Sequence, residues 1–157
     1  MNRAVISAVY NPNIDENILF CHKFQIPVMA HNLEELYANC DAVYIASPHY
    51  THYEYTKSAL IAGKHVLCEK PMGLNKSDIQ QMLSVADDKK LVCMEAIKTA
   101  YCAGFERILD IVKSGVIGKV RDVEAAFSKI SVAAGREMWG ASGGSFTELA
   151  SYCLLPV

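Results

Sequence analysis

The chain has 157 residues, 52% hydrophobic and 20% charged, with a formal net charge of -2, enough for one domain of ordinary size or for one domain and part of another. No strongly basic field is present to attract nucleic acid, and its apolar runs fall well short of the roughly 20 residues needed to span a bilayer. Residues 1–13, "MNRAVISAVYNPN", lack a long apolar stretch and a small-residue cleavage site, so secretion is not expected and a cytoplasmic location is.

Short β-rich runs alternate with segments of helical period. "AVISAVY" (4–10) reads as a strand, followed by a turn at Asn11-Pro12-Asn13. Residues 14–24 fit a helix and "IPVMA" (26–30) a second strand. Asn32 with Glu35 three residues later makes a capping-box-like start for a helix over 33–39. "DAVYIAS" (41–47) is a near-continuous apolar strand, the pattern expected where both faces of a sheet are covered. Thr51 and Glu54 repeat the capping pattern, and the helix from 52 to 62 stops at Gly63.

"KHVLCE" (64–69) is the next strand, Asn75 with Asp78 opens a helix over 76–90, and "LVCMEA" (91–96) is a further strand. A helix over 103–113 ends at Ser114-Gly115. This repeated βα order predicts an α/β, Rossmann-like doubly wound parallel sheet. After Gly115 the rhythm changes: "VRDVEAAFSKI" (120–130) alternates like a longer strand, and "GGSFTELASYCLL" reads as a Gly-Gly loop feeding a helix. The expected division is 1–118 for the Rossmann-like domain and 119–157 for the beginning of a second, α+β domain.

Cys21, Cys40, Cys68, Cys93, Cys102 and Cys153 contain no C-x-x-C pair and sit mostly in apolar runs. They read as reduced, buried thiols. His49 and His52 are the only tight histidine pair; with no third ligand nearby, no metal site is expected.

In open α/β sheets, ligands lie beyond the carboxyl ends of the strands. Three such ends carry chemistry here: Ser47-Pro48-His49, Glu69-Lys70-Pro71 and Glu95-Ala96. Pro71 biases Lys70 towards extended geometry, aiming its ammonium over the strand ends, where Glu69 and Glu95 are potential partners. A lysine so placed orients a hydroxyl and stabilises a developing alkoxide. Read alone, it is equally a surface lysine in a solvated loop.

The run "DAVYIASPHYTHYEYTKSALIAGKHVLCEKPMGLNKSD", with "MEA" after it, closely resembles the Gfo/Idh/MocA family of NAD(P)-dependent oxidoreductases. The resemblance extends from about residue 4 to residue 152. It implies that Ala46, Ser47, Pro48, His49 and His52 belong to the loop beside the nicotinamide and its ribose. It also implies that Glu69 and Lys70 are the family's Glu-Lys-Pro motif, with the lysine between cofactor and substrate. "GGSFTELASY" is similar to the signature Gly-Gly-x-x-x-Asp-x-Gly-x-His, which puts Glu148 at the aspartate and Tyr152 at the histidine. Four apart, the two share a helix face. Tyrosine also replaces that histidine in the branch that includes glucose-fructose oxidoreductase and dihydrodiol dehydrogenases.

A free tyrosine titrates near about 10, and an adjacent ammonium favours the phenolate. Lys70 and Tyr152 are therefore the expected acid/base pair, Glu148 the residue that orients substrate, and Glu95 a further substrate contact. Tyr10 and Asn11 fall where the family often reads the cofactor's 2′ position. The implied cofactor is NAD or NADP, with NADP favoured by the branch. The implied substrate is a small-molecule sugar, polyol or dihydrodiol, with no nucleic acid or membrane partner.

The first glycine is Gly63, so the family's opening Gly-x-Gly-x-x-Gly turn is not seen. "AVISAVYNPN" matches the family's second strand. The chain thus reads as lacking the usual first strand and most of the second domain, a truncated form expected to be weakly active by itself. Loss of a central strand also predicts homo-oligomerisation or strand-completing association. The alternative expectation is a non-catalytic remnant serving as an interaction or oligomerisation module.

Overall fold

The computed structural model of the chain describes residues 4–128 and 143–156. Five short strands alternate with helices: β1 (Ala8–Val9), α1 (Ile14–Phe24), β2 (Val28–Met29), α2 (Leu33–Ala38), β3 (Ala42–Ile45), α3 (His52–Ile61), β4 (His65–Cys68), α4 (Lys76–Lys89), β5 (Cys93–Glu95) and α5 (Ala103–Lys113), with α6 (Gly144–Leu154) at the end. Among the described residues all strand pairs are parallel, as the βα rhythm requires.

Local chemistry sets most helix ends. The Asn13 side chain accepts from the Asp15 and Glu16 N–H groups at 3.1 and 3.3 Å, opening α1. Asn32 accepts from Glu35 N–H at 2.8 Å while Glu35 accepts from His31 N–H at 2.8 Å, a reciprocal box at the start of α2. Asn75 does the same service for α4 through Asp78 N–H at 2.9 Å. Gly63, at φ 79°, closes α3 with its N–H on the Leu60 carbonyl at 3.0 Å.

Thr51 departs from the capping expectation. A 3-10 turn over His49–Thr51 precedes α3, and no side chain caps that helix. The Thr51 hydroxyl is engaged backwards instead, on Ser47 Oγ at 2.6 Å and the Pro48 carbonyl at 2.7 Å.

The strands form two sheets among the described residues, β1-β2 and β3-β4-β5. In the larger one Ala42 pairs with His65, Ile45 with Cys68, Val66 with Cys93, and Cys68 with Glu95. Alternation sends Ile45, Val66 and Cys68 to one face, where α3 and α4 cover them with Ala59, Leu60, Met82 and Ala86. Tyr37 from α2 and Met72 complete that core.

Tyr44, Leu67 and Met94 stand side by side on the other face and are exposed. The expectation that both faces are covered is thus corrected: the apolar run of β3 is continuous, but among the described residues only one of its faces is packed. The run 120–130 is corrected too. Residues 120–128 form no strand, because none of the described strands pairs with them, and 129–130 lie outside the described residues.

All six cysteines are free thiols, but only Cys68 is buried and Cys102 is exposed. The expectation of general thiol burial therefore fails; α5, which Cys102 precedes, has no buried residue. No helix among the described residues is long and apolar enough to cross a membrane.

Candidate active site

The carboxyl ends of β3, β4 and β5 lie together because the three strands are parallel and in register. Glu69 N–H continues the ladder to the Ile45 carbonyl at 2.8 Å, and Ala96 N–H to the Cys68 carbonyl at 2.7 Å. Just beyond, the chain turns through Glu69, Lys70 and a cis Lys70-Pro71 bond.

Lys70 is drawn across to α6. Its Nζ donates to the Glu148 carbonyl oxygen at 2.8 Å and lies 3.4 Å from Glu148 Oε2. The other carboxylate oxygen, Oε1, is 3.5 Å from His49 Nε2. Both His49 and Glu148 are buried. One carboxylate thus sits between an ammonium and an imidazole contributed by two different strand-end loops.

Tyr152 follows Glu148 by one turn, and Lys70 Nζ lies 5.8 Å from its ring centroid, over the face. Phe127 stacks on the same tyrosine, with centroids 5.1 Å apart and planes at 19°. A hollow of about 230 Å³ opens beside this stack, lined by Lys98, Thr99, Phe127, Tyr152 and Cys153 among others.

A second hollow of about 540 Å³ lies on the exposed sheet face, lined by Tyr44, Leu67, Glu69, Met94, Ala96, Lys98 and Tyr101. Tyr44 donates to Glu69 Oε1 at 2.6 Å, and that hydrogen bond, with burial and the carboxylate charge adding to it, pushes the Tyr44 phenol up to about 12. The other Glu69 oxygen accepts from the Lys70 N–H at 3.2 Å.

The remaining expected residues divide. Ala46 and Pro48 are exposed at the rim. Ser47 is bound to Thr51, and its carbonyl faces His52 Nε2 at 2.9 Å. His52 is fully buried, with Nδ1 2.8 Å from the Pro71 carbonyl oxygen. Glu95 accepts from the Met72 N–H at 2.8 Å, tying β5 to the turn that carries Lys70. Tyr10 and Asn11 lie beyond β1, where Asn11 donates to Glu16 at 3.0 Å.

Lys98 was not foreseen, yet it lines both hollows. The signal was available, since it sits three residues past the end of β5, at a loaded strand end.

Residues 1–97 match the model of the Gfo/Idh/MocA family, an oxidoreductase family with an NAD-binding Rossmann fold. Trans-1,2-dihydrobenzene-1,2-diol dehydrogenase of Sus scrofa is 36% identical over 138 residues, covering 86% of this chain and 41% of that protein. The NADP-dependent scyllo-inositol 2-dehydrogenase IolU of Bacillus subtilis is 32% identical, covering 96% of this chain and 49% of that protein. The chain thus spans less than half the length of these relatives.

Among solved structures, the 3-ketoreductase KijD10 of Actinomadura kijaniata, in complex with TDP-benzene and NADP, aligns with a TM-score of 0.62 and 30% identity. It covers 74% of this chain and 37% of that one. A probable dehydrogenase of Thermotoga maritima aligns with a TM-score of 0.66 and 27% identity over 74% of this chain and 36% of its own.

Proposed function

The chain belongs to the Gfo/Idh/MocA oxidoreductase family, and from that premise we propose that it serves in hydride transfer between NAD(P) and the carbinol carbon of a sugar, polyol or dihydrodiol. The observation that carries the reading is the meeting of Lys70, Glu148 and Tyr152, drawn from opposite parts of the chain to the carboxyl end of one parallel sheet. The relatives' dihydrodiol and inositol chemistry supports this substrate class, and the NADP relatives support NADP over NAD.

The exposed row Tyr44, Leu67 and Met94 offers a flat apolar wall with the Glu69 carboxylate at its edge. This fits one face of a nicotinamide ring and a ribose hydroxyl, so the cofactor-holding residues are these together with Ala46, Ser47 and Pro48. A nicotinamide bound there supplies the hydride acceptor or donor at C4. Tyr10 and Asn11 are the residues proposed to face the far ribose.

Tyr152 then takes the hydroxyl proton as the alcohol is oxidised, or returns it as the carbonyl is reduced. Lys70 holds positive charge beside the reacting oxygen. Glu148 fixes the ammonium through its carbonyl and carboxylate and, with Glu95, orients the substrate. His49 closes the opposite side of the Glu148 carboxylate. In this reading residues 1–118 hold the dinucleotide, residues 119–157 begin a substrate-facing part, and the protein works in the cytoplasm as a homo-oligomer.

A second reading has its own observation. The two sheets leave strand edges of β1 and β3 unpaired among the described residues, and such edges are templates for association, as in an interaction module. Titration of the purified chain with NADPH and NADH, followed by fluorescence and calorimetry, separates the two. Saturable binding that Lys70→Ala weakens supports the redox reading; no saturable binding overturns it in favour of the module.

A further inference from the structure

We propose that His52 carries a proton on both ring nitrogens and acts as a positioning residue, clamping the loop after β3 against the turn that presents Lys70. The ring is fully buried, and each nitrogen meets a main-chain carbonyl oxygen: Nδ1 that of Pro71 at 2.8 Å, Nε2 that of Ser47 at 2.9 Å. A carbonyl oxygen only accepts. A neutral imidazole has one N–H and one lone pair, so either neutral tautomer points a lone pair at an oxygen within hydrogen-bond distance.

The imidazolium alone satisfies both. Burying its charge is offset by the two charge-assisted hydrogen bonds it makes. The ionisable groups around it come from the elements it joins and from α6. His49 meets it edge-on at a centroid separation of 5.5 Å, and Glu148 lies behind His49 at 3.5 Å. Glu69 and Lys70 precede Pro71 in the chain, and Glu95 accepts from the Met72 N–H that follows it.

The clamp has a consequence at Glu148. Ser47 leads through Pro48 to His49, and Pro71 directly follows Lys70. Holding those two carbonyls on one ring fixes the spacing between His49 and Lys70, the two groups that reach the opposite oxygens of the Glu148 carboxylate. His52 touches neither cofactor nor substrate in this scheme; it acts through Lys70, and it rests on the proposed function only for the part Lys70 plays.

The ring is read directly by long-range proton–nitrogen correlation spectra of the chain with isotope-labelled histidine at neutral pH. His52 is assigned by loss of its signals in His52→Gln. Should that variant not fold, it is assigned by elimination with His22→Gln, His31→Gln, His49→Gln and His65→Gln, which together with His52 exhaust the five histidines. Two protonated-type nitrogens support the proposal; one bare nitrogen overturns it.

A second measurement is amine labelling of Lys70, quantified by peptide mass spectrometry against Lys64, which is held separately on the Cys40 carbonyl at 2.9 Å. Folded His52→Gln or His52→Asn is expected to raise Lys70 labelling several-fold with Lys64 unchanged. Equal labelling of Lys70 in variant and parent overturns the positioning role. Neither readout requires nicotinamide binding, so a failed titration and a failed clamp are told apart.

Discussion

Lys70 and Glu148, separated by 78 positions in the chain, meet through two contacts at once, the ammonium donating to the glutamate's carbonyl oxygen at 2.8 Å and facing its carboxylate at 3.4 Å. The lysine therefore anchors the middle of α6, at Glu148, as well as meeting a charge. Lys70→Ala is expected to lower turnover by about 100-fold or more, the usual effect of deleting one preorganised donor. It should also cost about 1–3 kcal/mol of stability, because a buried carboxylate loses its cation. Steady-state kinetics and urea unfolding of the same variant check both. Retained turnover with lost stability would make Lys70 purely structural.

Tyr152 separates chemistry from packing more cleanly. Its ring stacks on Phe127 and lies under the Lys70 ammonium, and neither contact uses the hydroxyl. Tyr152→Phe should keep the melting temperature close to that of the parent while turnover falls by about 100-fold or more, the range of one lost acid/base group. A variant as active as the parent would remove Tyr152 from the proton path.

The thiols should react in an order set by burial. Cys68 is fully buried, and burial pushes its thiol up to about 12; Cys102 is exposed. Timed alkylation read by mass spectrometry should modify Cys102 first and Cys68 last, and only on unfolding. Early labelling of Cys68 would contradict the packing of β4 against α3 and α4.

Tyr44 gives a pH dependence with a definite sign. Its phenol titrates near about 12 when folded, held protonated by the hydrogen bond to Glu69, against about 10 for a free tyrosine. Raised on folding, it contributes stability fully below pH about 10, and that contribution is lost as pH rises towards about 12. Tyr44→Phe should therefore flatten the alkaline limb of the stability curve measured by urea unfolding across this window. An unchanged limb would mean that the Tyr44–Glu69 bond is not formed in solution.

The core prediction rests on Leu60 of α3, fully buried in the cluster that also holds Val66, Cys68 and Met82. Leu60→Ala should cost about 2–5 kcal/mol, the range for large-to-small changes at well-packed sites. Chemical denaturation measures it directly, and a loss near zero would mean that the site collapses around the smaller side chain.

The βα rhythm was legible because caps and breakers are local: Asn32, Gly63 and Asn75 do in the fold what their neighbours in sequence announce. The strand-end lysine was legible from the rule that places ligands at carboxyl ends. Tertiary facts were not. Residues 120–128 alternate like a strand, but a strand exists only where a partner accepts its hydrogen bonds. Thr51 carries a capping signature, but its hydroxyl is diverted by Ser47, brought near by the intervening 3-10 turn. The double occupation of the His52 ring depends on Pro71, 19 residues away, and no spacing rule reports that.

The division into two sheets gives the molecule an order of coming apart. The amino-terminal unit of β1, α1 and β2 contributes no residue to the main buried cluster that joins the other three strands to α2, α3 and α4. Its ladder amides, Val28 N–H on the Ser7 carbonyl and Ala30 N–H on the Val9 carbonyl, should exchange with deuterium through partial openings that leave β3, β4 and β5 closed. The chain would thus yield from its amino end first, while the scaffold beneath Lys70 stays shut until global unfolding.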